Sequence, residues 1–401
     1  MSLRAYVGCI CLALAACGDA DEPTLGEPVR FPVPGCEAFD PTPCDVREPA
    51  CHVRLFGMAS CLRGNVPGSL PPVSVISEDE YAEYLSGVYA ELEPRPDPDH
   101  RERALVLLDL AVEGALQPET RIAEGADFAY GVYRWEPDDI LIIDHGDHRD
   151  DFASAVLVHE FVHALQDRDV DLEAFEEEFG ESYDSYLAVD AVVEGEAELH
   201  QARYAASMLG LDPASIDWTE HFQSGLDRAA VEMLEEESPY TASWYRFPYR
   251  WGGRYMHFTW LAGGNAALAN RFMAPPATTQ VLMASSNDAI EPQFTPTAPP
   301  RAERARWANV EDTVLGAWTV FVLLARADKS IDLAAELALG WRGDLLSVLA
   351  SEPIEPATSD TAIVWRIDFE DEGTALEVAS ALGEGASNEG AQVVLERSTE
   401  R

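Results

Sequence analysis

The sequence predicts a mostly helical α+β protein with a small sheet, and three observations carry that prediction. Hydrophobic residues make up 47% and charged residues 25% of the 401 residues, the balance of a folded chain and not of a disordered acidic one. Segments of helical length and patterning recur, the longest near residues 152–167 and 185–209. Strand signals are few: a hairpin over Tyr130 to Asp144 and a short strand near Ile363–Phe369. The chain is too long for one compact core, so two lobes or domains are expected.

Residues 1–16 carry Arg4 and then an apolar run from Ala5 to Ala16, too short to span a bilayer and expected to act as a signal peptide. The run ends in Leu14-Ala15-Ala16-Cys17, which resembles the lipobox of bacterial lipoproteins. That resemblance implies cleavage before Cys17, diacylation of its sulfur and attachment to the membrane through lipid. Gly18 follows the cysteine where an inner-membrane retention signal would have Asp, which points to the outer membrane or cell surface of a bacterial envelope. Residues 18–35 read as a tether. Cys36, Cys44, Cys51 and Cys61 crowd into the Pro-rich stretch that follows and predict two disulfides, with three possible pairings. Their wide spacing, without a Cys-x-x-Cys pair, disfavours a zinc cluster. The expected organisation is a signal peptide at 1–16, a tether and disulfide module at 17–70, and the main domain at 71–401.

Pro71-Pro72 mark the domain boundary. Ser77 and Glu80 form a capping-box pattern before a helix to about Glu93, which Pro94, Pro96 and Pro98 end. A second helix is expected over about Arg101 to Ala115. The hairpin comes next, with strands near Tyr130–Trp135 and Ile140–Ile143 around a Glu-Pro-Asp-Asp turn. Asp150 and Asp151 suit the positive end of a helix from Phe152 to about Asp167. The acidic stretch Asp169 to Asp184 is expected to be exposed, and another helix covers about Ser185 to Leu209. An aromatic-rich segment (Trp244 to Trp260), a Pro-Pro loop at 275–276 and a polar loop at 284–303 precede a buried helix at 311–327. A last helix, Gly373 to Leu382, leads into a polar tail.

Charge excludes some functions. The formal net charge is −45, from 72 acidic and 27 basic side chains, whereas a nucleic-acid binder needs a basic surface to displace counterions. A polybasic membrane footprint is disfavoured for the same reason.

The chemistry is carried by His159-Glu160-Phe161-Val162-His163, an HExxH motif on a predicted helix. Residues four apart share a helix face, so both imidazoles can meet one metal ion. Glu160 sits one step round, placed to take a proton from water and pass it to a leaving amine. A catalytic zinc site needs a third protein ligand and one open position. Candidates lie in Val192-Val193-Glu194-Gly195-Glu196-Ala197-Glu198. Glu194 is the preferred ligand, with Glu196 as alternative and His200 as a weaker option. Glu198, or Asp190 one turn before Glu194, is expected to orient a histidine from behind.

The stretches AYGVYRWEPDDILII, VLVHEFVHALQD and AVVEGEAEL together resemble a group of bacterial secreted or lipid-anchored zincin-like metallopeptidases. PYRWGGRYMHFTWLAGGNAALANRFMAPPATTQVLM and GWRGD match the same group more loosely, and the resemblance covers about 110–385. It implies a zincin-like fold with a small sheet and an HExxH active-site helix. It also implies a gluzincin arrangement with Zn2+ on His159, His163 and Glu194, Glu160 as base, and a peptide or protein substrate. Arg168 stands where the group has Gln, at the helix end and away from the metal. For an oxyanion donor the candidates are Tyr249, Tyr255 and His257, with Arg254 nearby. Tyr249 is in register with the group's Tyr-x-x-Gly, since Gly252 stands three residues on.

Two further patterns are read as solvated surface. His145 and His148 lie in a loop where a second metal site is the rival reading, and Asp169–Glu181 lacks the ligand spacing of a calcium loop. The expected function is therefore a membrane-anchored zinc metallopeptidase. The rival expectation is a surface lipoprotein that keeps the fold for binding or envelope scaffolding without turnover.

Overall fold

The computed structural model describes residues 33–65, 68–91, 98–146, 149–213, 215–284, 307–327, 329–351 and 359–399. The signal-peptide region, Cys17 and His148 fall outside the described residues. Chain order begins with α1 (Pro49–Arg63), β1 (Val73–Ser77), α2 (Glu78–Glu91), α3 (Pro98–Leu107) and α4 (Pro118–Phe128). The hairpin β2 (Gly131–Arg134) and β3 (Asp139–Asp144) leads into α5 (Asp150–Val170), α6 (Leu172–Phe179), α7 (Tyr183–Met208), α8 (Trp218–Glu235) and α9 (Pro239–Met273). Then come α10 (Thr279–Met283), β4 (Trp307–Thr313), α11 (Gly316–Arg326) and α12 (Ile331–Leu339). The chain closes with β5 (Trp341–Ser351), β6 (Thr361–Phe369), α13 (Glu372–Leu382), β7 (Ala386–Glu389) and β8 (Gln392–Ser398). The architecture is mixed α+β and mostly helical, with two small sheets.

In the first sheet β3 lies between β1, which it meets in parallel, and β2, which it meets antiparallel. Its run Ile140-Leu141-Ile142-Ile143 is apolar throughout because both faces are covered. Ile140 and Ile142 join the core that holds α5, while Leu141 and Ile143 pack with Tyr81, Leu85 and Ala126 of α2 and α4. β1 is a strand that the sequence pattern did not signal, but the capping box at its end forms: the Ser77 backbone N–H donates to Glu80 Oε2 at 2.8 Å and the Glu80 N–H to Ser77 Oγ at 3.3 Å.

The two disulfides are Cys36–Cys61 and Cys44–Cys51. The segment they staple has no core of its own: Leu55, Phe56 and Met58 of α1 share one core with Leu157 and Phe161 of α5, and the Phe56 and Phe161 rings stand 5.2 Å apart.

α7 and α9 cross at backbone distance. A Cβ on Gly195 would lie 2.5 Å from the Gly252 carbonyl oxygen, and one on Gly252 would collide with the Ala191 backbone. Glycine at both places is what allows the approach. Farther along, α9 bends at Gly263 and Gly264, the latter with φ 63°.

The C-terminal region corrects several expectations. The stretch predicted as one helix over 311–327 splits into β4 and α11. α11 starts at Gly316 because its first amides are capped: Asp344 accepts from the N–H groups of Leu315 (3.0 Å) and Gly316 (2.9 Å). The polar tail is not loose. It forms β7 and β8 in an antiparallel sheet of order β4-β5-β6-β8-β7, in which only alternate residues such as Val393 and Leu395 turn inward. The GWRGD segment supplies Asp344, which also accepts from the indole N–H groups of Trp341 (3.0 Å) and Trp365 (2.6 Å). The PPATTQVL segment supplies Thr279, whose backbone and hydroxyl donate to buried Asp184 at the start of α7 and whose oxygen accepts from Trp318 N–H. Both segments are structural: they bind α7 to the second sheet. The acidic stretch after α5 is likewise only half exposed, since α6 buries Leu172, Phe175 and Glu176. The helix expected over 101–115 ends at Leu107, and α4 follows it.

Replacing Gly195 by Ala tests the crossing. Alanine favours an isolated helix by about 1 kcal/mol, yet overpacking costs about 1–3 kcal/mol or more. The expected outcome in thermal unfolding is a lower midpoint for Gly195→Ala and for Gly252→Ala; an unchanged or raised midpoint would show that the helices do not touch there.

Candidate metal centre

α5 is buried from Ala153 to Gln166, so its HExxH residues stand inside the protein. The His159 and His163 rings lie 4.7 Å apart on one face of the helix. α7 runs across that face and brings Glu194 between them: its Oε2 is 3.0 Å from His159 Nε2 and 3.3 Å from His163 Nε2. One potential ligand atom from each of the three residues lies within 4.8 Å of the others.

The outward ring nitrogens are also held. His159 Nδ1 donates to Gln201 Oε1 at 2.9 Å and His163 Nδ1 to Gln166 Oε1 at 2.8 Å. Gln166 can take only one orientation, because its amide N–H groups donate to Val193 O and Glu196 Oε2, both at 2.9 Å; turned over, it would set acceptor against acceptor. With Nδ1 protonated on both rings, both Nε2 lone pairs point at a carboxylate oxygen. Such an arrangement calls for a cation between them. Two neutral imidazole nitrogens and one carboxylate are a donor set that fits zinc, with room for a fourth, non-protein ligand.

Without the metal a proton has to serve. Burial works against a charged imidazole, but Glu194 outweighs it and raises His163 to about 9. Burial likewise opposes the Glu194 charge, and the two histidines overcome it and lower Glu194 to about 2.

Glu160 faces β2. Its Oε2 accepts from the Tyr133 backbone N–H at 2.8 Å, and its buried Oε1 has no hydrogen-bond partner among the described residues. Burial pushes its carboxyl upward, against the lowering pull of both histidines. Gly131 makes the room: a Cβ there would lie 2.8 Å from Glu160 Oε1. Tyr249 of α9 places its ring beside His159, with centroids 6.0 Å apart. The other oxyanion candidates are engaged elsewhere. Arg254 donates to the Leu282 and Met283 carbonyls, Tyr255 lies under Arg271, and His257 stacks on Phe222.

The expectation that Glu198 or Asp190 orients a histidine is corrected: Gln201 and Gln166 do so. On α7, Gln201 is seven residues beyond Glu194 and returns to within about 20° of it, whereas Glu198 is about 40° to the other side. Glu198 approaches Arg250 at 3.9 Å instead. Asp190 is buried and its pKa is raised well above the usual range by burial, then by Glu194 and Glu176. The alternative ligand Glu196 points away from the histidines, to Gln166 and to Arg63 Nε at 3.1 Å, and His200 stands 3.8 Å behind it. Gln166 lies in the HALQD stretch, but no spacing rule marks an amide as a histidine's partner. His145 is held by Ala129 O (2.9 Å) and Glu78 (3.2 Å), and no metal-ligand group other than His159, His163 and Glu194 is found among the described residues.

Residues 303–401, which contain the second sheet, are similar to a family described as a domain of unknown function, DUF8575. The match stops short of the histidines and Glu194. No curated protein and no solved structure matches the chain.

The His163–Glu194 pair gives a pH signature for the metal-free protein. His163 rises from 6.5 to about 9 on folding, so its contribution to stability is complete below about pH 6.5 and is lost as pH rises toward 9. Chelator-treated protein should therefore lose thermal stability across that window, and His163→Gln should flatten the dependence; equal slopes for both proteins would refute the pairing.

Proposed function

We propose that the protein is an envelope-anchored zinc metallopeptidase that hydrolyses peptide bonds in peptide or protein substrates. The observation that carries the reading is the meeting of His159 Nε2, His163 Nε2 and Glu194 Oε2 beside Glu160. His159, His163 and Glu194 would hold zinc there, which would supply the Lewis acidity to polarise a scissile carbonyl and make water nucleophilic near neutral pH. Glu160 then acts as the base. Tyr133 N–H holds one carboxylate oxygen and leaves the other to take a proton from the attacking water and hand it to the leaving amine. Burial raises the basicity that this step needs. Tyr249, beside His159, is the assigned oxyanion donor. A peptide substrate is what the resemblance of the HExxH region to zincin-like metallopeptidases implies. Export is supported by the lipobox-like sequence at Cys17 and by the two disulfides. No described helix is long and apolar enough to cross a membrane.

The test begins with zinc content. One equivalent is expected in the parent, and a fall in affinity of more than about 100-fold in His163→Ala and in Glu194→Ala, beyond what an outer contact is worth. Glu160→Gln should keep its zinc and lose about 10²- to 10⁴-fold in peptide turnover. A parent that takes up no zinc refutes the reading, and a zinc-loaded protein that cuts nothing in a broad peptide library favours a binding or scaffolding role.

A further inference from the structure

We infer that the disulfide-stapled N-terminal segment is a working part of the metal site, in which Arg63 orients His163 through Glu196 and Gln166. The inference rests on the zinc reading above. Arg63 is the last residue of α1 and is buried. Its Nε donates to Glu196 Oε2 at 3.1 Å, and one terminal nitrogen donates to Asp169 Oδ2 at 2.6 Å. Asp169 belongs to α5 and Glu196 to α7, so one guanidinium ties together the two helices that bring the three ligands. The planar fork of an arginine is suited to such a double task.

The contact continues inward. The Glu196 oxygen that meets Arg63 is also the one that accepts from Gln166, and the other end of Gln166 accepts from His163 Nδ1. The amide faces His163 with its oxygen because Glu196, together with the Val193 carbonyl, accepts from its nitrogen on the far side. Arg63 fixes where that carboxylate stands and supplies its countercharge, because a buried carboxylate left without a partner is strongly unfavourable and re-partners. The chain of contacts runs Arg63, Glu196, Gln166, His163, and each member is buried.

Arg63 is itself held from several sides. α1 ends on Gly64 in the left-handed region, with φ 77°. Asn265 of α9 donates to Leu62 O at 2.9 Å, and Cys61, two residues before Arg63, is bonded to Cys36. Asn65 adds a second donor to Asp169 at 3.1 Å. The stapled segment thus delivers one cation to a defined point behind the metal ligands. Arg63 is a positioning residue, since it touches neither metal nor substrate.

The test uses the purified, disulfide-intact protein with Arg63→Met, Arg63→Lys, Gln166→Leu and the Arg63→Met/Gln166→Leu double variant. Each is titrated with zinc against a competing chelator, and cobalt-loaded samples are read by visible absorption, which reports the ligand geometry. Arg63→Met should bind zinc about 10- to 100-fold more weakly, the range for contacts behind a ligand, and should shift the cobalt spectrum. Arg63→Lys should recover part of the loss, and the double variant should be no weaker than Gln166→Leu alone. Parental zinc affinity and cobalt spectrum in Arg63→Met overturn the inference, as do losses that simply add in the double variant. Should Arg63→Met not fold, Arg63→Lys combined with Gln166→Leu makes the same comparison. A parent that binds no zinc refutes the metallopeptidase reading itself, whereas a zinc-binding parent with an indifferent Arg63 refutes only this inference.

Discussion

At the crossing of α7 and α9 two helix backbones touch without side chains between them, and the positions of the surrounding residues follow from it. Gly195 meets Gly252, and Gly252 meets Ala191. Helices normally stand about 8–10 Å apart because side chains separate them. Here the contact is closer, so α9 presses α7 toward α5. Glu194 and Glu196 flank Gly195 and leave α7 in different directions, one to the histidines and one to Gln166 and Arg63. The same crossing places Tyr249, three residues before Gly252, beside His159.

Around that crossing, burial does the selecting. A helix buried on most of its circumference cannot leave polar groups without partners, since an unsatisfied buried donor or acceptor costs about 1–3 kcal/mol. α5 and α7 carry several such groups, and their pairings, with Arg63 of α1 added, make the site: imidazole with carboxylate, imidazole with amide, amide with carboxylate, carboxylate with guanidinium. Glu160 departs from this rule, because a backbone amide meets one of its carboxylate oxygens and the other, also buried, has no hydrogen-bond partner among the described residues. Asp190 Oδ2 on α7 is likewise buried without a hydrogen-bond partner among the described residues, and a buried unpaired polar atom is a place where water or a ligand can bind.

Distance from the histidines separates the remaining motifs. Asp184 is ten residues, or about 15 Å along α7, from Glu194. There it joins Thr279, Gly316 and Trp318, while Asp344 gathers four donors close by. These residues look chemical in a sequence because they are acids, hydroxyls and tryptophans at fixed spacing. In the fold they are the joint between the helical lobe and the second sheet, the region similar to a domain of unknown function.

Helices α2, α5, α7 and α13, the β2–β3 hairpin, the capping box at Ser77 and the convergence of His159 and His163 were legible in the chain, because each depends on contacts within a few residues, where spacing and geometry coincide, whereas α1, α4, α8, α9 and α12 were not read as helices. The choice of Glu194 over Glu196 was nearly so, since two residues, or about 200°, set them on opposite faces of the helix. Three further things were not legible. β1, β4, β7 and β8 are short or polar on one side and become strands only when partners pair with them. The disulfide pairing depended on how α1 folds back on its own loop. The partners behind the histidines, Gln166, Gln201 and through Gln166 the distant Arg63, depended on the angle at which α7 crosses α5. A rotation of about 60° about the α7 axis distinguishes Gln201 from Glu198, and no pattern along one chain reports that rotation, because packing against other helices sets it.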